Sequence, residues 1–332
     1  MPAVSPQNLV GAIIDALSDS RAQASLLSPI RSHPRRFRVI TETEAYDLWV
    51  YIWTVTHGGG AARRAEEYRI QMTTVTPPLA LNPNGPTLLL GWYPALSVFV
   101  GFDIRRHINF SPGSNSVQIT RTALEQALNF GFGFYTNQHR EIGVAFRPSE
   151  ILNYIQNREA LHEAGANVGT VDVLNRIARI DPVPQEEIIA LPPPRQLVVK
   201  TVSRLVRASN FRDQVMNAYG NRCAVTRAQL KLVDAAHILP VGAEGSVDTV
   251  INGIALSPTW HRAFDQGLVY LNPDLQMKIN PLRVQHLTAL DLHGGLDVIT
   301  PYLDRTIHLP ADVNQRPSRQ FIGLANNFRK IF

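Results

Sequence analysis

Asp234-Ala235-Ala236-His237-Ile238, then Asn252, then His261-Arg262-Ala263-Phe264-Asp265 is the stretch on which the reading of this chain turns. The run from Lys231 to Leu239 is short and apolar, bounded by polar residues before it and by Pro240 after it, which predicts a strand with His237 near its end. Val241 to Val250 carries Gly242, Gly245, Ser246 and Asp248, the composition of a loop. Ile251 to Leu256 predicts a second short strand. Ser257 as N-cap and Pro258 at the first helical position predict a helix over Thr259 to Gln266, closed by Gly267. His261 and Asp265, one helical turn apart, then project from the same face and can address one cation.

With those residues in place, the segment from about Asn210 to Leu271 resembles the HNH nucleases of the ββα-metal type, especially the branch found in bacterial restriction and defence nucleases. The resemblance includes the strand-turn Asn221-Arg-Cys-Ala-Val-Thr226 and the trailing Phe264-Asp-Gln-Gly-Leu268. The offsets of His237, Asn252, His261 and Asp265 also match the His, Asn, His, His offsets of related bacterial toxin DNases, with aspartate in place of the last histidine.

The resemblance implies an endonuclease that hydrolyses phosphodiester bonds of double-stranded DNA. An uncharged imidazole takes a proton from water at neutral pH, which makes His237 the expected general base. By analogy with the family, Asn252 fixes the orientation of His237 through hydrogen bonds to the loop backbone. His261 and Asp265 are the expected ligands of one divalent cation that stabilises the charged phosphorane and the leaving 3′ oxygen. One departure stands out: many such sites place an acid or histidine immediately before the general base, and here that residue is Ala236. Asp234 is the nearest carboxylate able to substitute, directly or through a metal-bound water. So few protein ligands suit hydrated Mg²⁺ or Mn²⁺ better than a closed zinc site.

Each of these residues also has an ordinary reading. Asp265 could pair with Arg262 on a helix surface, Trp260 and Phe264 suit packing of the small helix, and Arg262 is either a phosphate contact or a solvated side chain. The missing acid at position 236 also leaves open a DNA-binding protein whose HNH unit is inactive, beside a less specific defence or toxin nuclease.

Composition is consistent with this reading without pointing to it. The 332 residues, 45% of them hydrophobic, suggest two domains, and the net charge of +5 suits an anionic partner. Cys223 is the only cysteine, which excludes internal disulfides and a cysteine-rich zinc site and fits a reducing cytoplasm. No run of 18 apolar residues occurs, so no membrane span is expected.

The expected fold class is α+β: a mixed N-terminal recognition domain with a curved sheet over residues 1–180, a Pro-rich linker over 181–195, and the nuclease with its tail over 196–332. Asp181-Pro-Val-Pro184 and Leu191-Pro-Pro-Pro194 carry the linker reading. Helices are expected over Gln196–Arg207 and Ser209–Tyr219. From Arg195 to Leu232, Asp213 is the single acid against Arg195, Lys200, Arg204, Arg207, Arg212, Arg222, Arg227 and Lys231, a balance suited to duplex phosphates.

In the first domain a helix is expected over Leu9–Leu27, strands over 37–40, 46–56, 68–75, 87–92 and 97–103, and helices over 121–129 and 149–156. Arg35, Arg36, Arg63, Arg64, Arg105 and Arg106 are its candidate DNA contacts; Arg63 and Arg64 follow a Gly58-Gly-Gly60 run whose amides could approach phosphate. Such a domain would read a groove or a flipped base. Symmetric cleavage of two strands needs two active sites, for which a homodimer is the simplest source.

Overall fold

The computed structural model describes residues 3–57, 65–110, 115–164 and 168–331, and the chain divides into two compact units, Met1–Val206 and Arg207–Phe332. The first unit runs α1 (Pro6–Asp19), β1 (Gln23–Leu26), β2 (Arg35–Ile40), β3 (Ala45–Thr54), β4 (Thr56–His57), β5 (Glu67–Gln71), β6 (Thr87–Tyr93), β7 (Val98–Phe102), β8 (Ser116–Thr120), α2 (Arg121–Phe130), β9 (Phe132–Thr136), β10 (Ile142–Phe146), α3 (Ile151–Ala164), α4 (Val168–Ala178) and α5 (Gln185–Ile189). A mixed seven-stranded sheet has the order β1-β2-β3-β6-β7-β10-β9, and β4-β5-β8 form a second, antiparallel sheet. Within the large sheet, β3 and β6 pair in parallel and the other neighbours are antiparallel.

Both faces of the large sheet are buried at its central strands β6, β7 and β10, while β1 and β2 at its edge keep exposed positions. On β3, Val50 and Ile52 join the core that contains Leu9, Ile13 and Leu17 of α1, while Tyr51 and Trp53 join the core that contains Tyr68 and Ile70 of β5. On β6, Leu88 and Leu90 take the first side and Leu89 the second. A sheet covered twice needs apolar residues at successive positions, so Thr87–Tyr93 and Ile142–Phe146 read as continuous hydrophobic runs rather than as alternation.

The first helix is shorter than the apolar pattern suggests. The Ser20 amide bonds back to Ala16 and Leu17, Arg21 takes a left-handed φ of 64°, and the chain turns into β1, so Gln23–Leu26 belong to the sheet and not to the helix. The Pro-rich segment also differs from expectation. Residues 181–195 hold α5, an Arg176–Glu187 ion pair, and Gln196 donating to the carbonyls of Ile189 (3.0 Å) and Leu191 (2.7 Å). Val183, Ile188 and Leu191 pack on the first core. The division therefore falls at 206/207, inside a single helix α6 (Pro193–Ala218), rather than in a linker. The two helices expected there are one because Ser209, buried at 6% exposure, does not cap a new helix and no Gly or Pro interrupts the run from 195 to 218.

The second unit continues with β11 (Asp234–His237), β12 (Gly253–Leu256), α7 (Pro258–Asp265), β13 (Val269–Leu271), β14 (Met277–Ile279), α8 (Pro281–Ala289), α9 (Leu296–Ile299) and α10 (Arg319–Phe328). β11 and β12 pair antiparallel, as do β13 and β14. The strand expected from Lys231 begins only at Asp234 because Leu230 and Lys231 adopt left-handed φ values of 49° and 56°. The core gathers Phe211, Val215 and Tyr219 with Ala236, Ile238, Ile254, Leu256, Trp260, Phe264, Ile322 and Ala325. The C-terminal segment thus packs on this unit through α10. Among the described residues, no helix is long and apolar enough to cross a membrane.

One buried histidine, His162, and one half-buried, His33, are expected to make the first unit acid-sensitive. Burial brings His162 down to about 4, against the opposing pull of Asp103; its ring meets the Tyr154 hydroxyl (2.9 Å) and the Ile142 carbonyl (3.1 Å). Burial, helped by Arg35, likewise brings His33 to about 4. An unfolded histidine titrates near 6.5, so the unfolded chain binds more protons between those values, and stability present above pH 6.5 is lost as pH falls toward 4. The thermal midpoint of the first unit is therefore expected to drop over that window. The same drop in a His33→Gln, His162→Gln double variant would contradict this origin.

Candidate active site

The β11–β12 ladder ends at the pair His237↔Gly253, and the residues between these two positions form a closed loop. Asn252, fully buried, organises that loop. Its side-chain oxygen accepts from the Leu239 amide (2.9 Å), and its side-chain nitrogen donates to the carbonyls of Leu239 (3.3 Å) and Val247 (3.0 Å) and faces the Ser246 hydroxyl (3.4 Å). Its backbone carbonyl receives the Ile238 amide at 2.8 Å. Asn252 thus acts on the loop backbone.

His237 is held on two sides. The Phe211 ring of α6 stacks on it at 3.8 Å between centroids and 12° between planes, and Nε2 lies 2.9 Å from Oδ1 of Asp248. That contact assigns the proton to Nε2, which donates to the carboxylate, and leaves the Nδ1 lone pair as the basic position. The approach of α6 requires Gly253, where a Cβ would lie 2.2 Å from Val215 and 3.0 Å from Phe211. Phe211 and Asp248 are functional candidates that the sequence did not disclose. Asp248 sits in a loop of ordinary loop composition, and Phe211 lies 26 residues before the histidine it touches.

The helix α7 presents His261 to two carboxylates. Nδ1 is 3.4 Å from Oδ2 of Asp234 on β11, and Nε2 is 3.3 Å from Oδ2 of Asp265 one turn on. Asp234 shares its strand face with Ala236, one pleat away, so it approaches the side from which the expected acid is missing. Asp234 is mostly buried (18% exposed) and Asp265 open (56%). Among the described residues, no three His, Cys, Asp or Glu side chains converge as a ready metal cage. The two carboxylates flank opposite nitrogens of one ring, which accounts for that.

Trp260 and Phe264 are core residues, and Arg262 is exposed on α7. Arg204, Arg207 and Arg212 are exposed along α6, the first in one unit and the other two in the next. In the first unit Arg105 pairs with Asp103 (3.0 Å) and Arg106 donates to the carbonyls of His139 and Arg140 (both 3.0 Å). Arg35 is buried, with its guanidinium on the carbonyls of Ile30 and Ile52, and Arg36 lies over the Trp49 ring. Arg63 and Arg64 lie outside the described residues, as do Gly58-Gly-Gly60. Cys223 is fully buried and free: burial pushes its thiol up, and hydrogen bonds from Thr226, Ser257 and Val225 outweigh that and bring it below its usual range.

Residues 223–272 match the family model described as HNH endonuclease, and residues 46–155 match the one described as Methylase-associated X1. The chain thus carries an HNH endonuclease domain, of the kind that acts on phosphodiester bonds. No curated protein matches it. Among solved structures it is similar to a modification-dependent TagI restriction endonuclease at 13% identity, with 84% of this chain and 80% of that one covered and a TM-score of 0.28.

Replacing Asp248 with Ala is expected to lower the cleavage rate by roughly one to two orders of magnitude, less than loss of His237, because the ring loses its orienting partner and keeps its lone pair. Steady-state cleavage of a labelled duplex measures it. An unchanged rate would mean that the 2.9 Å contact does not serve the reaction.

Proposed function

We propose that this protein is a metal-dependent restriction endonuclease that hydrolyses double-stranded DNA, with the first unit choosing the sequence or the modification. The observation that carries the proposal is the oriented imidazole of His237, fixed by Asp248 and Phe211 on the strand facing a helix that bears His261 and Asp265. The succession β11, β12, α7 is read as a ββα-metal unit.

In this reading Nδ1 of His237 removes a proton from water as the water attacks phosphorus, and the 3′ oxygen leaves. Asp248 steadies the imidazolium that forms, by hydrogen bond and by charge. Asn252 keeps the loop closed so that His237 and Asp248 stay opposed. His261 donates from Nδ1 to Asp234, which fixes the ring and turns Nε2 outward beside Asp265. The 3.3 Å between Nε2 and Oδ2 is close to the roughly 3 Å between neighbouring ligands of an octahedral Mg²⁺ or Mn²⁺ with bonds of about 2.1 Å. Those two residues would hold the cation, with Asp234 behind them or joined through water. The bound cation would stabilise charge on the phosphorane and the leaving oxygen.

The description of the Methylase-associated X1 match supports a place in restriction and modification, and a cavity of about 180 Å³ in the first unit supports recognition of a single extruded base. Thr87, Phe102, Asp103 and Tyr154 contribute to its wall. A flipped base would bring hydrogen-bonding edges to Thr87 and Asp103. Two-strand cutting would use a homodimer; exposed Leu282, Leu290, Leu292 and Val298 around α8 and α9 are compatible with one. A cytoplasmic location fits the DNA substrate.

Plasmid cleavage is expected with Mg²⁺ or Mn²⁺, to stop with EDTA, and to fall by about 10²–10⁴-fold in His237→Ala. Undiminished cleavage by that variant overturns the mechanism. Tight DNA binding by a wild type that never cuts would favour a binding protein with an inactive nuclease unit. Arg204, Arg207, Arg212 and Arg262 are the proposed phosphate contacts, along with Arg36, Arg63, Arg64, Arg105 and Arg106; Arg35, buried with its guanidinium on the carbonyls of Ile30 and Ile52, is withdrawn from the set. Neutralising Arg204, Arg207 and Arg212 together is expected to weaken binding to every sequence alike and to reduce the slope of log K against log salt by about 0.9 for each phosphate that these side chains neutralise. An unchanged slope removes α6 from the interface.

A further inference from the structure

Arg329 follows the last turn of α10, 57 residues beyond the end of the matched HNH segment at Leu271-Asn272. Its Nη1 donates to the Ile238 carbonyl at 2.8 Å. Ile238 comes directly after His237 and lies past the last ladder pair, so among the described residues its carbonyl has no strand partner and would otherwise be an orphan acceptor. The same guanidinium lies over the Phe264 ring, with Cζ 4.6 Å from the centroid, and Phe264 directly precedes Asp265. Nε and Nη2 are buried without a hydrogen-bond partner among the described residues. Burial lowers the guanidinium below its usual range, with Asp265 pulling the other way.

A half-buried guanidinium with two buried, idle donors is an unfavourable way to fill space, and an aliphatic side chain would pack there with less desolvation. The arrangement does one thing that an aliphatic residue cannot. A planar fork donates in its own plane while its face rests on an aromatic ring, so one group registers the strand end that carries His237 against the helix that carries His261 and Asp265. With the Ile238 amide on the Asn252 carbonyl and both Leu239 backbone groups on the Asn252 side chain, the backbone just past His237 is pinned at successive positions.

We infer that Arg329 is a positioning residue of the nuclease, fixing His237 relative to the His261–Asp265 pair through the Ile238 carbonyl and the Phe264 ring. The inference rests on the nuclease reading above. It makes α10 part of the working enzyme although it lies outside the matched HNH segment.

The test uses the full chain with Arg329→Met, which keeps apolar contact with Phe264 and removes the donor, and Arg329→Lys, which keeps the charge and cannot combine stacking with in-plane donation. Under Mn²⁺, kcat for duplex cleavage is expected to fall at least tenfold in Arg329→Met, with KM within twofold and a smaller loss in Arg329→Lys. Amide hydrogen exchange in residues 236–240 is expected to rise in Arg329→Met. A loss of kcat no larger than the loss of folded protein seen by circular dichroism, or a rise in KM at unchanged kcat, overturns the role. If Arg329→Met does not fold, the same comparison on Arg329→Lys decides. If the wild type cuts no DNA in either metal, the nuclease reading fails by itself; exchange at 236–240 still tests the clamp, and unchanged exchange refutes it.

Discussion

Everything at this site hangs on one buried amide. Asn252 has no exposed surface, and its side chain commits its donors and its acceptor to the backbone of residues 239 and 247 and to Ser246. A buried amide left unpaired costs about 1–3 kcal/mol, so the loop between β11 and β12 is held closed by the penalty for opening it. That closure sets Asp248 beside His237 and leaves Nδ1 of the imidazole as its basic nitrogen. In the proposed mechanism Asn252 therefore acts at one remove, by deciding where the loop backbone runs.

The histidine at the centre of α7 lies between two carboxylates. Asp234 takes one ring nitrogen and Asp265 faces the other, at nearly equal distances but with unequal exposure. The buried contact suits orientation, and the open one suits a hydrated cation that must admit a phosphate. Ala236 leaves the strand without the usual acid, and the carboxylate nearest to it on the same strand face touches the ring of His261 instead of an empty position.

The parts of the site that were legible in the sequence are those fixed by local periodicity. A strand end, a Pro at the start of a helix, a Gly with φ of 68° at its close, and an i, i+4 pair place His237, Asn252, His261 and Asp265 without any long-range information. Asp248, Phe211 and Arg329 were not legible because nothing local marks them; each reaches the site by tertiary contact, from a loop, from the preceding helix and from the last helix. In the first unit the strands with β-branched and aromatic runs could be read. Phe132–Thr136 and Ile142–Phe146 could not, since a sheet buried on both faces erases the alternation that identifies strands. The Pro-rich stretch misled because prolines mark the ends of helices as well as linkers, and here they bracket α5 and open α6.

The most direct test of the account is where a catalytic cation binds. Crystals of the His237→Ala protein with duplex DNA and Mn²⁺, measured by anomalous scattering at the manganese edge, are expected to show one ion per site within bonding distance of Nε2 of His261 and a carboxylate oxygen of Asp265, with the scissile phosphate between that ion and position 237. An ion bound elsewhere, or DNA lying across the unit with no ion near His261, would contradict it.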